Sequence, residues 1–118
     1  MEKFVRQTLL FDFYGELLTE HQRNIYEDKV INDMSYSEMA DIYGISRQGI
    51  HDQVKRSDSI LEKYESKLHL VEKFEGMKDK VEDIIRLSNE LKGNDLSDNK
   101  EQLIDTIIQR SNELYDAF

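Results

Sequence analysis

The stretch Ser35–Arg56, SYSEMADIYGISRQGIHDQVKR, constrains the fold more than any other part of the chain, because its local rules specify a geometry. Ser35 followed three residues later by Glu38 is a capping box, in which each side chain takes up a backbone N–H left free at the start of a helix. The spacing predicts a short helix from Tyr36 to Tyr43. Gly44 then stands where a left-handed C-cap is needed, a conformation that glycine enters without a Cβ penalty. Ile45 covers the corner. Ser46 is a second N-cap, and the helix it opens puts Ile50 and Val54 one turn apart on the same side. Met39, Ala40, Ile45, Ile50 and Val54 are the expected small core, and the whole reads as a helix-turn-helix.

A rotation of about 100° per residue along the second helix sets Gln48, Asp52, Lys55 and Arg56 opposite Ile50 and Val54, with His51 on the flank. That is the face a recognition helix shows to the major groove. Lys55 and Arg56 suit phosphate or guanine, Gln48 suits adenine, and Ser46 with the first amides of the helix suits a phosphate. The candidate DNA-binding residues are therefore Ser46, Arg47, Gln48, His51, Lys55 and Arg56. Asp52 is the awkward member: its carboxylate repels phosphate and serves only against a cytosine amino group or as a partner for Lys55 or Arg56. The alternative is a tri-helical packing unit used for protein contacts, since the motif predicts geometry better than ligand.

The run MSYSEMADIYGISRQGIHDQV resembles region 4 of bacterial sigma factors almost position for position. Taken whole, the chain more closely resembles the small YlxM-like family of helix-turn-helix proteins, through its opening FDFYGELLTEHQ, its central motif and a long acidic helical tail. From about Leu70 the likeness is one of character only. The resemblance implies an all-α fold, with a helix-turn-helix domain akin to sigma region 4 followed by two C-terminal helices. It also implies a regulatory role in the signal recognition particle pathway, with components of that particle as partners.

The net charge of −9 opposes the simplest nucleic-acid reading, because DNA affinity depends heavily on displaced counterions. The acidic excess is spread over both halves of the chain. A patch of Arg47, Lys55, Arg56, Lys63 and Lys67 can still attract phosphate, but screening over about 8 Å at physiological salt makes its placement decisive. Weak DNA binding by an isolated monomer is expected. With no cysteine there is no disulfide framework and no thiolate metal site, and a reducing cytoplasm is the natural compartment. The opening MEKFVRQTLLFDFYGE lacks the pattern of a signal peptide, and no stretch approaches the roughly 18 apolar residues of a membrane span. The expectation is a cytoplasmic protein. Absence of proline and 35% charged residues favour helices throughout.

Apolar residues at three- and four-residue spacing predict a first amphipathic helix over residues 2 to about 18, its aromatic stripe in the core. Thr19 with Gln22 is a capping box for a helix from Glu20 to about Ile31, with Ile25, Tyr26 and Val30 inward and Glu27, Asp28 and Lys29 outward. The recognition helix has no evident stop before about Lys67, so residues 1–68 form the helix-turn-helix domain and 69–118 a C-terminal extension. Leu70, Phe74, Met77, Val81, Ile84 and Leu91 alternate by four and three, with Ser88 in the one gap. Gly93 is a candidate C-cap in a Lys92–Asp95 connector, and Asp98 with Glu101 is a capping box for a last helix. That helix carries Leu103, Ile104, Ile107, Ile108, Leu114, Tyr115 and Phe118 as a broad apolar stripe. Such stripes close on each other, pack back on the first helices, or pair across a two-fold axis. A homodimer is the expectation, as two-fold symmetry lets such readers engage two half-sites.

No catalytic constellation is present. His21, His51 and His69 are far apart and none has a metal-ligand neighbour at the spacing such sites need. The five glycines are isolated and make no phosphate-cradling loop. Carboxylate pairs such as Glu27-Asp28 and Glu82-Asp83 fall on expected outer faces. The sequence therefore points away from an enzyme and from any cofactor or metal. Two readings remain: a DNA-binding regulator acting through the second helix of the motif, and a non-enzymatic adaptor that keeps the scaffold but binds a protein or ribonucleoprotein.

Overall fold

The computed structural model describes residues 2–93 and 100–117. Asn94, Asp95, Asp98 and Phe118, on which part of the connector, the last capping box and the final stripe residue rest, lie outside the described residues. Among the described residues there are six α-helices and no strand: α1 (Lys3–Tyr14), α2 (Glu20–Tyr26), α3 (Tyr36–Tyr43), α4 (Arg47–Leu68), α5 (Leu70–Gly93) and α6 (Lys100–Asp116). The all-α helix-turn-helix expectation is met. The chain divides into two compact units, residues 1–71 and 72–118.

In the first unit α1 stops earlier than its apolar spacing suggests, and one 3₁₀ turn, Gly15–Leu17, comes after it. Gly15 is buried, and a Cβ on it would lie 3.0 Å from the Phe11 ring. That ring is itself stacked on Tyr26, with centroids 5.5 Å apart. The chain thus passes against an aromatic that has little room to yield. Not all of the α1 stripe reaches the core: Tyr14 is buried, while Phe4 (58% exposed) and Phe13 stand out to solvent.

The Thr19–Gln22 capping box forms, with Gln22 N–H donating to Thr19 Oγ1 at 3.2 Å and Thr19 N–H to Gln22 Oε1 at 3.0 Å. The expected helix to Ile31 then widens into a π turn, Glu27–Ile31, closed by Asn32 N–H on the Glu27 carbonyl at 3.0 Å. A π turn inserts an extra residue into the helical ring and rotates the residues beyond it about the axis. Asp28 and Lys29 accordingly are half-buried, contrary to the outward expectation that holds for Glu27. Asp28 accepts from the Tyr43 hydroxyl and from Asn32 Nδ2, and Lys29 donates to the Met34 carbonyl at 2.9 Å. Asp33 turns the corner at φ 53°, a left-handed conformation that aspartate tolerates better than most side chains.

Leu10, Tyr14, Leu18, Ile25, Tyr26, Val30, Met39, Ile50, Val54, Leu61 and Val71 form one buried cluster, with Ile45, Tyr36 and Tyr43 packed against it. Each fully buried aliphatic side chain contributes roughly 1.5–3 kcal/mol. The polar contacts through this core share a pattern. Asp58, Glu62 and Glu65 lie at four- and three-residue spacing on one side of α4 and meet donors from α1 and α2. Tyr26 donates to Asp58 at 2.6 Å and Gln7 to the same carboxylate at 3.0 Å; Arg6 forks onto Glu62 at 2.6 and 2.7 Å; Tyr14 donates to Glu65 at 2.6 Å. Glu65 Oε1 also accepts the Val71 N–H at 2.9 Å, and the Tyr14 hydroxyl accepts the Leu70 N–H at 3.1 Å. The first turn of α5 is therefore tied into the first unit, past the left-handed corner at His69 (φ 56°).

In the second unit, ion pairs Arg110–Asp83 (3.2 Å) and Lys80–Glu113 (3.7 Å) join α5 to α6. The expected seam on α5 is displaced. Leu87 is buried, whereas Ser88, Phe74 and Val81 are exposed, so the inward register runs Met77, Ile84, Leu87, Leu91. On α6, Leu103, Ile107 and Leu114 are half-buried, while Ile104, Ile108 and Tyr115 are exposed. In both helices a one-residue choice of register decides which apolar residues face in.

Burial, and then hydrogen bonding to a carboxylate, raises the pKa of Tyr14, Tyr26 and Tyr43, that of Tyr43 to about 12. A tyrosine whose folded pKa lies above its unfolded value holds its stabilising contribution in full below pH ~10 and loses it as pH rises through the folded value. Urea midpoints should therefore fall progressively between about pH 10 and 12. Tyr43→Phe should flatten that fall; an unchanged slope would show that the Tyr43–Asp28 contact contributes nothing to it.

Candidate nucleic-acid interface

The turn that aims α4 is built as the local rules require. Glu38 N–H donates to Ser35 Oγ at 3.1 Å and Ser35 N–H to Glu38 Oε1 at 3.3 Å. Gly44 sits at φ 68°, ψ 29°, and its N–H closes on the Ala40 carbonyl at 2.9 Å. Ser46 Oγ then accepts the Gly49 N–H at 3.0 Å and opens a helix of 22 residues, roughly 33 Å long. Ser46 still has its hydroxyl proton to offer a phosphate oxygen.

With Ile50, Val54, Ser57 and Leu61 buried, the opposite side of α4 faces water. Gln48, Lys55 and Arg56 are exposed there, and Ser46 and Arg47 are exposed at its N-terminal end. His51 is half-buried on the flank, edge-on to the Tyr36 ring with centroids 5.8 Å apart. Its Nδ1 is enclosed without a hydrogen bond and lies 3.8 Å from Asp52 Oδ1. Asp52 does not pair with Lys55 or Arg56. Its carboxylate accepts instead from Gln48 Nε2 at 2.9 Å, one helical turn back. The glutamine amide intended for a base edge is thus engaged within the helix.

The electrostatics of α4 are sorted by side. Of its carboxylates, Asp58, Glu62 and Glu65 are turned toward α1 and α2 and hydrogen-bonded there, which leaves Asp52 on the water-facing side. The Arg6 guanidinium on Glu62 holds that carboxyl below the usual range. Among the described residues, Arg6, Arg23, Arg86, Arg110 and Lys80 are in ion pairs with carboxylates, and Arg47, Lys55 and Arg56 are not. Lys55 and Arg56 on the outer face, with Arg47 at the N-terminal end of the helix, are available for anionic groups despite the acidic chain.

Beside this face the structure brings together residues that sequence reasoning did not group. Lys3 and Gln7 of α1, Lys29 and Asp33 of the π turn and its exit, Tyr36 of α3, and His51 with Lys55 of α4 surround a cleft of about 360 Å³. Their positions in the chain carry no shared periodicity, so only the packing of α1 against α4 assembles them. Among the described residues no group of three or more His, Cys, Asp or Glu side chains could hold a metal ion, and no helix is long and apolar enough to cross a membrane.

Comparison with known proteins gives one consistent result. A family model described as "Putative helix-turn-helix protein, YlxM / p13 like" matches residues 1–113. A UPF0122 protein of Caldanaerobacter subterraneus subsp. tengcongensis is 49% identical over 83 residues, covering 70% of this chain and 71% of the relative. Those of Shouchella clausii and Staphylococcus haemolyticus are each 48% identical, over 75 and 73 residues, covering 64% and 62% of this chain and 69% and 66% of the relative.

Nothing lies within 4 Å of a Cβ built on Gly44, so a substitution there meets strain only from the positive φ. Gly44→Ala should lower stability by about 1–2 kcal/mol, and Gly44→Asn by clearly less, as measured by urea unfolding. Equal losses for the two variants would show that the left-handed turn is not what Gly44 supplies.

Proposed function

The chain belongs to the YlxM/p13-like family of helix-turn-helix proteins, and from that premise we propose that it is a regulatory protein that binds duplex DNA through the outer face of α4. The observation that carries this reading is the exposed, unpaired set Arg47, Lys55 and Arg56 on a helix whose other carboxylates are consumed internally. In the bound state Lys55 and Arg56 neutralise backbone phosphate or read guanine, and Ser46 and the first amides of α4 receive a phosphate. Gln48 reads a base only after leaving Asp52, and Asp52 then has a cytosine amino group as its one favourable partner. His51 serves from the flank.

Two copies make the reader complete. Phe74, Val81 and Ile85 of α5 and Ile104, Ile108 and Tyr115 of α6 leave large apolar side chains in water, and exposed apolar surface of this kind favours association. Pairing through residues 69–118 places two α4 helices on two half-sites and raises an affinity that the chain's net charge keeps low in a monomer.

A second reading is favoured by one specific contact. The closed Gln48–Asp52 pair, on an acidic chain, suits an adaptor that meets a protein or ribonucleoprotein surface rather than bases. The signal recognition particle pathway, and a component of that particle as partner, belong with this reading.

Mobility shift against the chain's own upstream region, at low and physiological salt, separates the two. Lys55→Ala and Arg56→Ala should each weaken binding to all sequences and reduce the salt slope by about 1. Gln48→Ala should instead alter preference at one position. A triple variant that binds as well as the native chain would remove α4 as the reader, and no duplex binding together with recovery of a particle component would favour the adaptor. Light scattering should give twice the 14.0 kDa chain mass, and Ile108→Glu should halve it; a native monomer at high concentration would end the dimer proposal.

A further inference from the structure

We propose that the cleft between α1, the π-turn segment and α4 is a binding site for a nucleoside monophosphate, a ligand distinct from the duplex of the α4 reading, with Lys55 and His51 common to both sites. The central group is Lys29. Its ammonium is held by a hydrogen bond to the Met34 carbonyl at 2.9 Å and lies 4.3 Å from the centre of the Tyr36 ring. Carbonyl and ring fix the amine in place without cancelling its charge, and among the described residues it forms no ion pair with a carboxylate. A preorganised cation of this kind loses little side-chain freedom when an anion arrives.

Lys3 and Lys55 bring two further amines to the same cleft, and neither is ion-paired among the described residues. Against these three stand Asp33 and Asp58. Asp58 is already the acceptor for Tyr26 and Gln7. Three ammonium groups facing two carboxylates admit a ligand with one or two negative charges and disfavour a polyanion such as a triphosphate or a continuous nucleic-acid backbone. The carboxylate of Asp33 is the available acceptor for a ribose hydroxyl or an exocyclic amine.

The cleft also has a place for a ring. Phe4 lines it and is 58% exposed, whereas Tyr36 is taken up by Lys29 and by the edge of His51. A base stacked on Phe4 removes an exposed aromatic from water. His51 also lines the cleft. A volume of about 360 Å³ is at the small end of ligand pockets, which suits one nucleotide and not a dinucleotide.

The test is titration of the full chain, without DNA, with adenosine and guanosine 5′-monophosphates, monitored by calorimetry and by amide shifts in nuclear magnetic resonance. One saturable site is expected, with shifts at Lys29, Tyr36, His51 and Lys55. Inorganic phosphate and the free nucleosides should each bind at least about tenfold more weakly. Lys29→Met should weaken monophosphate binding about tenfold or more, Lys3→Ala several-fold, and Lys63→Ala, outside the cleft, not at all. Should Lys29→Met fail to fold, Lys3→Ala and Phe4→Ala, both at exposed positions, carry the comparison. The proposal is overturned by equal affinity for inorganic phosphate and the nucleotide, by shifts confined to Gln48 and Arg56, or by no saturable binding.

Discussion

The row of carboxylates on α4 that accepts hydrogen bonds from α1 and α2 is the interaction on which the rest of the first unit depends. Asp58, Glu62 and Glu65 are spaced to lie along one side of a helix, and Gln7, Arg6 and Tyr14 are spaced along α1 to meet them. Hydrogen bonds to an ionised acceptor are each worth about 1.5–3 kcal/mol net, more than neutral ones. Apolar contacts alone would let α4 rotate by small amounts against α1 at little cost. A set of directed bonds at three levels does not, so the rotational setting of α4, and with it the side turned to water, is fixed by polar contacts laid over an apolar core.

The same contacts resolve an apparent contradiction between composition and site. A chain of net charge −9 is a poor candidate for binding an anion when its charges are treated as a sum. Charges act by position, and screening shortens their reach to about 8 Å in physiological salt. Carboxylates folded against α1 and α2 cost the outer face of α4 less than free ones would, because each is hydrogen-bonded to a donor there. Outside that row α4 exposes Lys55, Arg56, Lys63 and Lys67, with Arg47 at its N-terminal end and the carboxylate of Asp52.

Much of the first unit was legible because it is written in short-range rules. The Ser35–Glu38 and Thr19–Gln22 boxes, the left-handed Gly44 and the Ser46 cap each involve residues within one turn of each other, and local chemistry determines them. The features that escaped are non-local or degenerate. Tyr26 meets Asp58 across 32 residues, and Lys3, Lys29 and Lys55 share a cleft only through tertiary packing. The π turn after Tyr26 leaves no mark in propensity, since it differs from an α turn by one step of hydrogen-bond register. On α5, Leu87 and Ser88 both continue an alternation by three and four within tolerance, and burial rather than pattern selects Leu87.

In the proposed DNA complex, the Gln48–Asp52 contact sets a limit on how selective α4 can be. For Gln48 to form a bidentate contact with adenine, its hydrogen bond to Asp52 must open, at a net cost of about 1 kcal/mol, and the freed carboxylate then faces the groove. A good bidentate contact discriminates by about 1–3 kcal/mol, so the surplus is small unless Asp52 gains a partner of its own. A cytosine amino group one step along the groove is such a partner, and its donor replaces the one Gln48 withdraws. The two residues therefore act as a pair: a site with adenine alone returns little, and a site offering both donors returns the full difference. An adaptor surface asks no such exchange, because the closed pair is already satisfied and can be covered as it stands.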